Sequence, residues 1–340
     1  MLRYFLVMAV ALAGCERSTL PITPLSEPSG QVGELDHVPN VVEVPGDRIA
    51  FADPANQALL LVDRTTATLT RVGRRGKGPG EFIQPMTVER LGDRLAVLDR
   101  AQSRIAYFTL AGAHLADSAM PRPLRSESFS LASDGRALMA RLDSVPQTEQ
   151  RSATLGWYDL ASTTFTPITR LATQRWMPVP DGPPRLNSLE QFGTFDLGGL
   201  TLDGTLWVAR AEPPQVEWLT PAGWDSSPPL DIERIPTVAA EQTVERFPGR
   251  EFRLPMAPVK GPFSAAAAGP DGEVWLQLHA PHLSRTTTLM AVPRRGGQVR
   301  KYSVPAGREL RTVGEAWLYF TYEDADGFTV LEWRARPLGD

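Results

Sequence analysis

Residues 73–112 read GRRGKGPGEFIQPMTVERLGDRLAVLDRAQSRIAYFTLAG. A glycine-rich loop leads to Pro85 and the run TVERL. Gly92-Asp93 then separates that run from RLAVLD, and the polar stretch Arg100–Ser103 separates RLAVLD from RIAYFT. Short runs rich in Val, Leu, Ile, Phe and Tyr, bounded by Gly, Asp and Ser, are strands. Gly-Asp suits the hairpin between them, because both residues tolerate positive φ. The unit is therefore a tight turn, a strand, a polar turn and a second strand.

The unit recurs. PGDRIAFADPANQALLLVD (45–63) aligns without a gap on LGDRLAVLDRAQSRIAYFT (91–109), placing Gly46 on Gly92, Asp47 on Asp93, Asp53 on Asp99 and Leu59 on Ile105. LDGTLWVARAEPPQVEWLTPAG (202–223) aligns on residues 91–112 and ends on the same Ala-Gly. Weaker copies begin at Ser133-Asp134-Gly135, at Pro270-Asp271-Gly272 and at Val313-Gly314. The six copies open at Gly46, Gly92, Asp134, Asp203, Asp271 and Val313, with spacings of 46, 42, 69, 68 and 42 residues. Repeats of about 40–50 residues built from strands point to a β-propeller, in which radial four-stranded sheets bury both faces.

The rest of the composition agrees. The chain has 31 prolines and 28 glycines in 340 residues, too many breakers for long helices. The two long spacings leave room for insertions at roughly 170–194 and 234–260, the second containing VAAEQTVERF, a candidate short surface helix. The last copy has only about three strands before the C-terminus, and Gln31–Val38 is the segment available to return as its outer strand. The expected fold is all-β, a six-bladed β-propeller over residues 31–340. The competing architecture is a β-sandwich with a second domain.

Gly78-Pro79-Gly80-Glu81-Phe82, Pro85, Asp99 and Arg104-Ile105 together resemble the NHL repeat of six-bladed propellers, and many bacterial lipoproteins carry propellers of this kind. The full pattern covers about 40 residues, in one blade. Ala58 stands where the first copy would have the arginine, and Arg210 replaces the aspartate of the fourth. The resemblance implies that Asp99 and Arg104 form a structural salt bridge between neighbouring strands.

The N-terminus reads MLRYFLVMAVALAGCERS. One positive charge, Arg3, precedes an uncharged apolar run too short to span a bilayer, which needs about 20 apolar residues; this is the form of a signal peptide. Leu12-Ala13-Gly14-Cys15 resembles a lipobox, and Cys15 is the only cysteine in the chain. The expectation is export, removal of residues 1–14, lipidation of Cys15 and a membrane anchor. ERSTLPITPLSEPSG (16–30) reads as a tether, up to about 50 Å long if fully extended. Glu16 in place of an aspartate favours the outer membrane, periplasmic side or surface, over the inner. Net charge is −4, which gives no reason to expect a nucleic-acid partner.

Candidate site residues are few. Gly73–Gly80 lacks the Lys-Ser/Thr of a phosphate loop and falls between strands, so it reads as an inter-blade loop. Arg74, Arg75 and Lys77 on it are the first candidates for an anionic ligand, with Arg100 and Arg210 as further cations. His279 and His282 share a turn and are a candidate metal pair with no obvious third ligand. Asp324-Ala-Asp326-Gly327 lacks the spacing of a calcium loop and reads as a hairpin turn. The tryptophans at 207, 218, 275, 317 and 333 fall on strands and are expected to pack between blades. No catalytic set is visible and no cofactor is predicted. The expected function is a monomeric, membrane-anchored, non-enzymatic binding or scaffold module of the cell envelope, taking a protein or glycan ligand on its loops. The alternative is a metal-dependent hydrolase or lyase holding calcium or zinc in the central channel, from scattered carboxylates such as Asp53, Asp99 and Glu323.

Overall fold

Each repeat buries side chains on both faces of its strands, and this decides the architecture. In RIAFAD (48–53) and ALLLVD (58–63), Ile49, Phe51, Leu60 and Val62 pack to one side with Tyr319 and Trp333. Ala50, Ala52, Leu59 and Leu61 pack to the other with Phe82, Leu95 and Phe108. Alternation with period two thus feeds two cores from one sheet.

The computed structural model describes residues 20–120, 126–132, 134–143, 152–180, 182, 186–247 and 250–337. Residues 1–14, expected to be a signal peptide, and Cys15 lie outside these residues. Two N-terminal strands, β1 (Ile22–Pro24) and β2 (Gly30–Leu35), come first. Blade 1 is β3 (Val42–Val44), β4 (Arg48–Asp53), β5 (Ala58–Asp63) and β6 (Thr68–Val72). Blade 2 is β7 (Pro85–Leu91), β8 (Arg94–Asp99), β9 (Arg104–Thr109) and β10 (His114–Ala119). Blade 3 is β11 (Ser126–Leu131), β12 (Arg136–Leu142), β13 (Ser152–Asp159) and β14 (Phe165–Ala172). A hairpin, β15 (Trp176–Pro178) and β16 (Asn187–Leu189), precedes blade 4: β17 (Leu197–Leu200), β18 (Leu206–Ala211), β19 (Pro214–Thr220) and β20 (Gly223–Ser226). A second hairpin, β21 (Val244–Phe247) and β22 (Arg250–Arg253), precedes blade 5: β23 (Phe263–Ala268), β24 (Val274–Leu278), β25 (Thr286–Val292) and β26 (Arg300–Pro305). Blade 6 supplies β27 (Glu309–Val313), β28 (Trp317–Glu323) and β29 (Thr329–Ala335).

The protein is a six-bladed β-propeller. Its blade-6 sheet runs β2-β29-β28-β27, so the N-terminal strand closes the ring, with Gly30 opposite Trp333 and Val32 opposite Leu331. Six apolar cores lie between consecutive blades. The tryptophans belong to them: Trp207, Trp218, Trp275 and Trp333 are buried, and Trp317 packs partly buried between blades 6 and 1.

Three local readings are revised. The tether is shorter than the composition suggested: Ile22, Thr23 and Pro24 pair in parallel with Lys301, Tyr302 and Ser303, adding a fifth strand to blade 5. The expected surface helix shrinks to one 3-10 turn, Ala239–Glu241, and Val244–Phe247 pairs with Arg250–Arg253 instead; Thr243-Val244 and the flanking aromatics favour a strand. Asp99 and Arg104 sit opposite each other in the ladder but do not pair. Asp99 accepts hydrogen bonds from the backbone N–H groups of Ile83, Gln84 and Gln102, while Arg104 pairs with Asp117 at 2.8 Å. A buried carboxylate already satisfied by three amide donors leaves the arginine free to serve another partner.

Candidate functional site

Strand direction alternates within each blade, so connections sort to two ends of the ring. Turns between first and second strands, and between third and fourth, lie at one end, here the hairpin end. Turns between second and third strands, and the crossovers between blades, lie at the other. Arg74, Arg75 and Lys77 are on the crossover from blade 1 to blade 2; Arg100, His279 and His282 are on second-to-third turns; Arg210 is near the end of β18. All seven candidates therefore fall at the crossover end, as do both inserted hairpins. So do Asp53, Asp99, Glu323 and the 324–327 turn, where Asp324 accepts from the N–H groups of Asp326 and Phe328.

The glycine-rich loop is held from beneath. Glu81 accepts from the Gly78 N–H at 2.9 Å and from Arg74 at 2.9 Å, and these bonds hold its carboxyl below the ordinary carboxylate range. Arg104 donates to the carbonyls of Gly78 and Glu81, and the Gln102 amide donates to those of Gly76 and Glu81. Gly76 is required by close approach: a Cβ there would meet a Glu81 carboxylate oxygen at 2.0 Å. Arg74 is thereby committed to Glu81, whereas Arg75, Lys77 and Arg100 are exposed and make no ion pair among the described residues. Arg210 is not a free cation. It bonds Asp196, Glu217, the Arg170 carbonyl and the Thr169 hydroxyl, tying blade 3 to blade 4.

The two insertions meet beside blade 5. Gln191 and Ala257 join them through backbone bonds, and the Gly261 N–H bonds the Phe192 carbonyl. There the Lys260 ammonium, 4 % exposed, donates to Glu241 at 2.5 Å and to the Ala280 carbonyl at 2.6 Å, and lies 4.9 Å from the Phe192 ring centroid. Burial is the largest influence on Glu241 and opposes its ionisation, but the bond from Lys260, the bond from the Val238 N–H and the Lys260 charge together outweigh it, and the carboxyl sits below its ordinary value. His279 packs edge-on against Phe192, with ring centroids 5.5 Å apart, and its Nε2 is buried without a hydrogen-bond partner. Burial, helped by the Lys260 charge, lowers its pKa to about 4, so it is neutral at pH 7. His282 Nδ1 stands 3.8 Å from Glu241. The histidines thus share a site organised by Lys260 and Glu241. Neither partner was singled out from sequence, since both lie in an insertion that no repeat alignment reaches.

Glu89 was also missed. It lies on the innermost strand of blade 2 beside Ser130 of blade 3, and burial pushes its carboxyl up to about 8. The signal was a carboxylate next to Val88 in the inner run TVERL.

A channel metal would need at least three converging donors. Among the described residues no group of three or more His, Asp or Glu is placed to hold one. Glu241, the carboxylate closest to the histidine pair, is already bonded to an ammonium. Among the described residues the two histidines therefore lack the third donor that a zinc site takes.

Comparison with known proteins agrees on the fold. A family model described as "6-bladed beta-propeller" matches residues 34–123, from the end of the closing strand through the first two blades. A protein from Bacteroides fragilis is similar in structure at 10 % identity and a TM-score of 0.50, over 94 % of this chain and 95 % of that one. A DUF4221-family protein from Bacteroides vulgatus is similar at 9 % identity and a TM-score of 0.54, over 93 % and 96 %. Regucalcin from Agrobacterium tumefaciens, a calcium-binding protein, is similar at 10 % identity and a TM-score of 0.47, over 93 % and 97 %. No curated protein sequence matches the chain. At these identities the likeness is one of fold.

Proposed function

We propose that this six-bladed propeller is a lipid-anchored binding module of the bacterial cell envelope, holding a protein or glycan ligand at its crossover end. The observation that carries the reading is the gathering of unmet chemistry at that end. Exposed cations without ion pairs among the described residues (Arg75, Lys77, Arg100) lie there with the exposed apolar side chains Leu283 and Phe328, over a ring held by six cores. Loops on a rigid scaffold are where recognition resides, and free guanidinium and ammonium groups on an acidic protein select acidic groups in a ligand. The lipobox at Cys15 supports export and anchoring, and Glu16 favours the outer membrane.

The test is co-purification from detergent-solubilised membranes of the producing bacterium. The wild type is compared with an Arg75→Glu/Lys77→Glu/Arg100→Glu variant, a change confined to exposed side chains. A partner retained by the wild type and lost from the variant supports the reading. Equal recovery with both, or no partner with either, overturns it.

A further inference from the structure

The N-terminal strand fixes where an anchor would join the ring. β1 runs parallel to β26, and β26 starts at the hairpin end, so the chain arrives there before it reaches Ile22. Cys15 precedes Leu20, the first described residue, by five positions, a reach of at most ~17 Å at ~3.4 Å per residue. An acyl group on Cys15 would therefore hold the hairpin end of blade 5 within that distance of the lipid surface.

The surface at this corner has its own signature. The turn 293–299 of blade 5 is joined to the first turn of blade 4 by Arg294 and Asp203, 2.9 Å apart. Leu202, 74 % exposed, adjoins one partner of that bridge, and exposed Arg295 adjoins the other. Arg300 and Lys301 follow on β26, with exposed Ile22 paired directly opposite Lys301, and Trp224 is exposed on the outer strand of blade 4. Arg295, Arg300 and Lys301 make no ion pair among the described residues. The acids of the nearby turns are spent: Asp203 on Arg294, Asp271 and Glu273 on Arg336. Glu27, Asp225 and Glu315, whose carbonyl accepts from the same Arg336, are the further carboxylates of the segments around the corner, and all are exposed.

We infer that the hairpin-end corner of blades 4 and 5 is a membrane-contact surface for anionic phospholipid, formed by Arg295, Arg300, Lys301, Leu202 and Trp224, and that the crossover end faces away from the bilayer. This rests on the lipid-anchor reading of Cys15. An acyl anchor and a basic patch are two signals that reinforce each other, basic side chains near a bilayer are drawn to anionic headgroups, and tryptophan favours the interface. The ligand-binding end is thereby presented to the compartment.

The full chain, lipidated in a bacterial host, is reconstituted into phosphatidylcholine vesicles with and without phosphatidylglycerol. Cys15 being blocked by lipid, one added cysteine carries a fluorophore, either Gln298→Cys at the corner or Leu283→Cys at the crossover end. Quenching by headgroup-nitroxide lipid reads proximity. On anionic vesicles the label at 298 is quenched several-fold more than the label at 283. Arg295→Glu/Arg300→Glu/Lys301→Glu, or removal of phosphatidylglycerol, brings the two together, and Leu202→Ser lowers quenching at 298. Equal quenching at both sites, stronger quenching at 283, or indifference to the charge reversal overturns the inference. Mass spectrometry of Cys15 separates the premises: an unmodified cysteine in a protein that does not stay with vesicles overturns the anchor itself, and the orientation with it.

Discussion

His279 shows how the candidate site couples to solution conditions. Its ring is neutral in the folded protein because burial and the Lys260 ammonium disfavour the charged form, lowering the pKa from 6.5 to about 4. In the unfolded chain the group regains its ordinary value. Between pH 6.5 and 4 the unfolded state therefore binds more protons, so the stabilisation present above pH 6.5 is lost as pH falls. Lowering pH from 7 to 4.5 should cost the wild type about 2 kcal/mol more than a His279→Gln variant, from the linkage of a shift this large. Urea unfolding of both proteins at the two pH values measures the difference. An equal loss in wild type and variant would mean that His279 protonates freely in the fold and that the pocket under Phe192 is open to water. Lys260 and Glu241, whose charges act on the ring, remain in both proteins, so the comparison isolates the imidazole.

The crossover from blade 1 to blade 2 is the element in which sequence and structure can be compared residue by residue. Its glycines, Glu81 and Phe82 were legible as part of a repeat, and Phe82 is indeed fully buried between the blades. What was not legible is the wiring. Asp99 and Arg104 are opposite charges in ladder register, and pairing is the simple expectation. The chain instead uses Asp99 to cap three amides at the base of the loop, and Arg104 to gather two of its carbonyls. In blade 4 the same position is Arg210, and the carboxylate comes from Asp196 on the preceding crossover, a swap that no ungapped alignment can find. Which of two charges meets a backbone donor depends on loop path, and loop path is set by non-local packing. If the crossover is a rigid platform for Arg75 and Lys77, Gly76→Ala should loosen it without unfolding the ring. The new methyl displaces the Glu81 carboxylate and frees Gly78 and Arg74. Amide exchange at Gly78 and Phe82 should quicken about tenfold or more, the equivalent of roughly 1.4 kcal/mol of lost local stability, while the Tm falls by only a few degrees. Unchanged exchange would show that the loop does not depend on Glu81.

At the scale of the whole molecule, the six repeats told more than any single blade, because a ring needs a closing device and the final repeat visibly lacked a strand. Gln31–Val38 was the segment available, and β2 fills that place against β29, completing a sheet from the two ends of the chain. Leu35 and Val38 enter the core between blades 6 and 1 with Leu331, Trp333 and Phe51, and a Cβ at Gly30 would meet the Trp333 ring at 2.3 Å. Ahead of this strand the attachment is lighter: β1 adds three residues to the outer edge of blade 5, and of its neighbours Leu25 is the side chain that joins a core. The two segments should therefore separate in a truncation series. A chain beginning at Leu20 keeps both and should melt as the full mature protein does. One beginning at Pro28 loses β1, Leu25 and the Ser26 carbonyl that accepts from Arg334, and should melt a few degrees lower, since about 1 kcal/mol shifts Tm by about 2 °C in a chain of this size. One beginning at Val38 loses the closing strand, exposes the edge of β29 and uncovers Trp333. Exposed edges pair with other chains, so this variant should be recovered as aggregate or melt by a broad transition. The result that would break the argument is a soluble, cooperatively melting chain that begins at Val38, for it would mean that a ring open at blade 6 is stable and that the N-terminal strand is an attachment rather than the clasp.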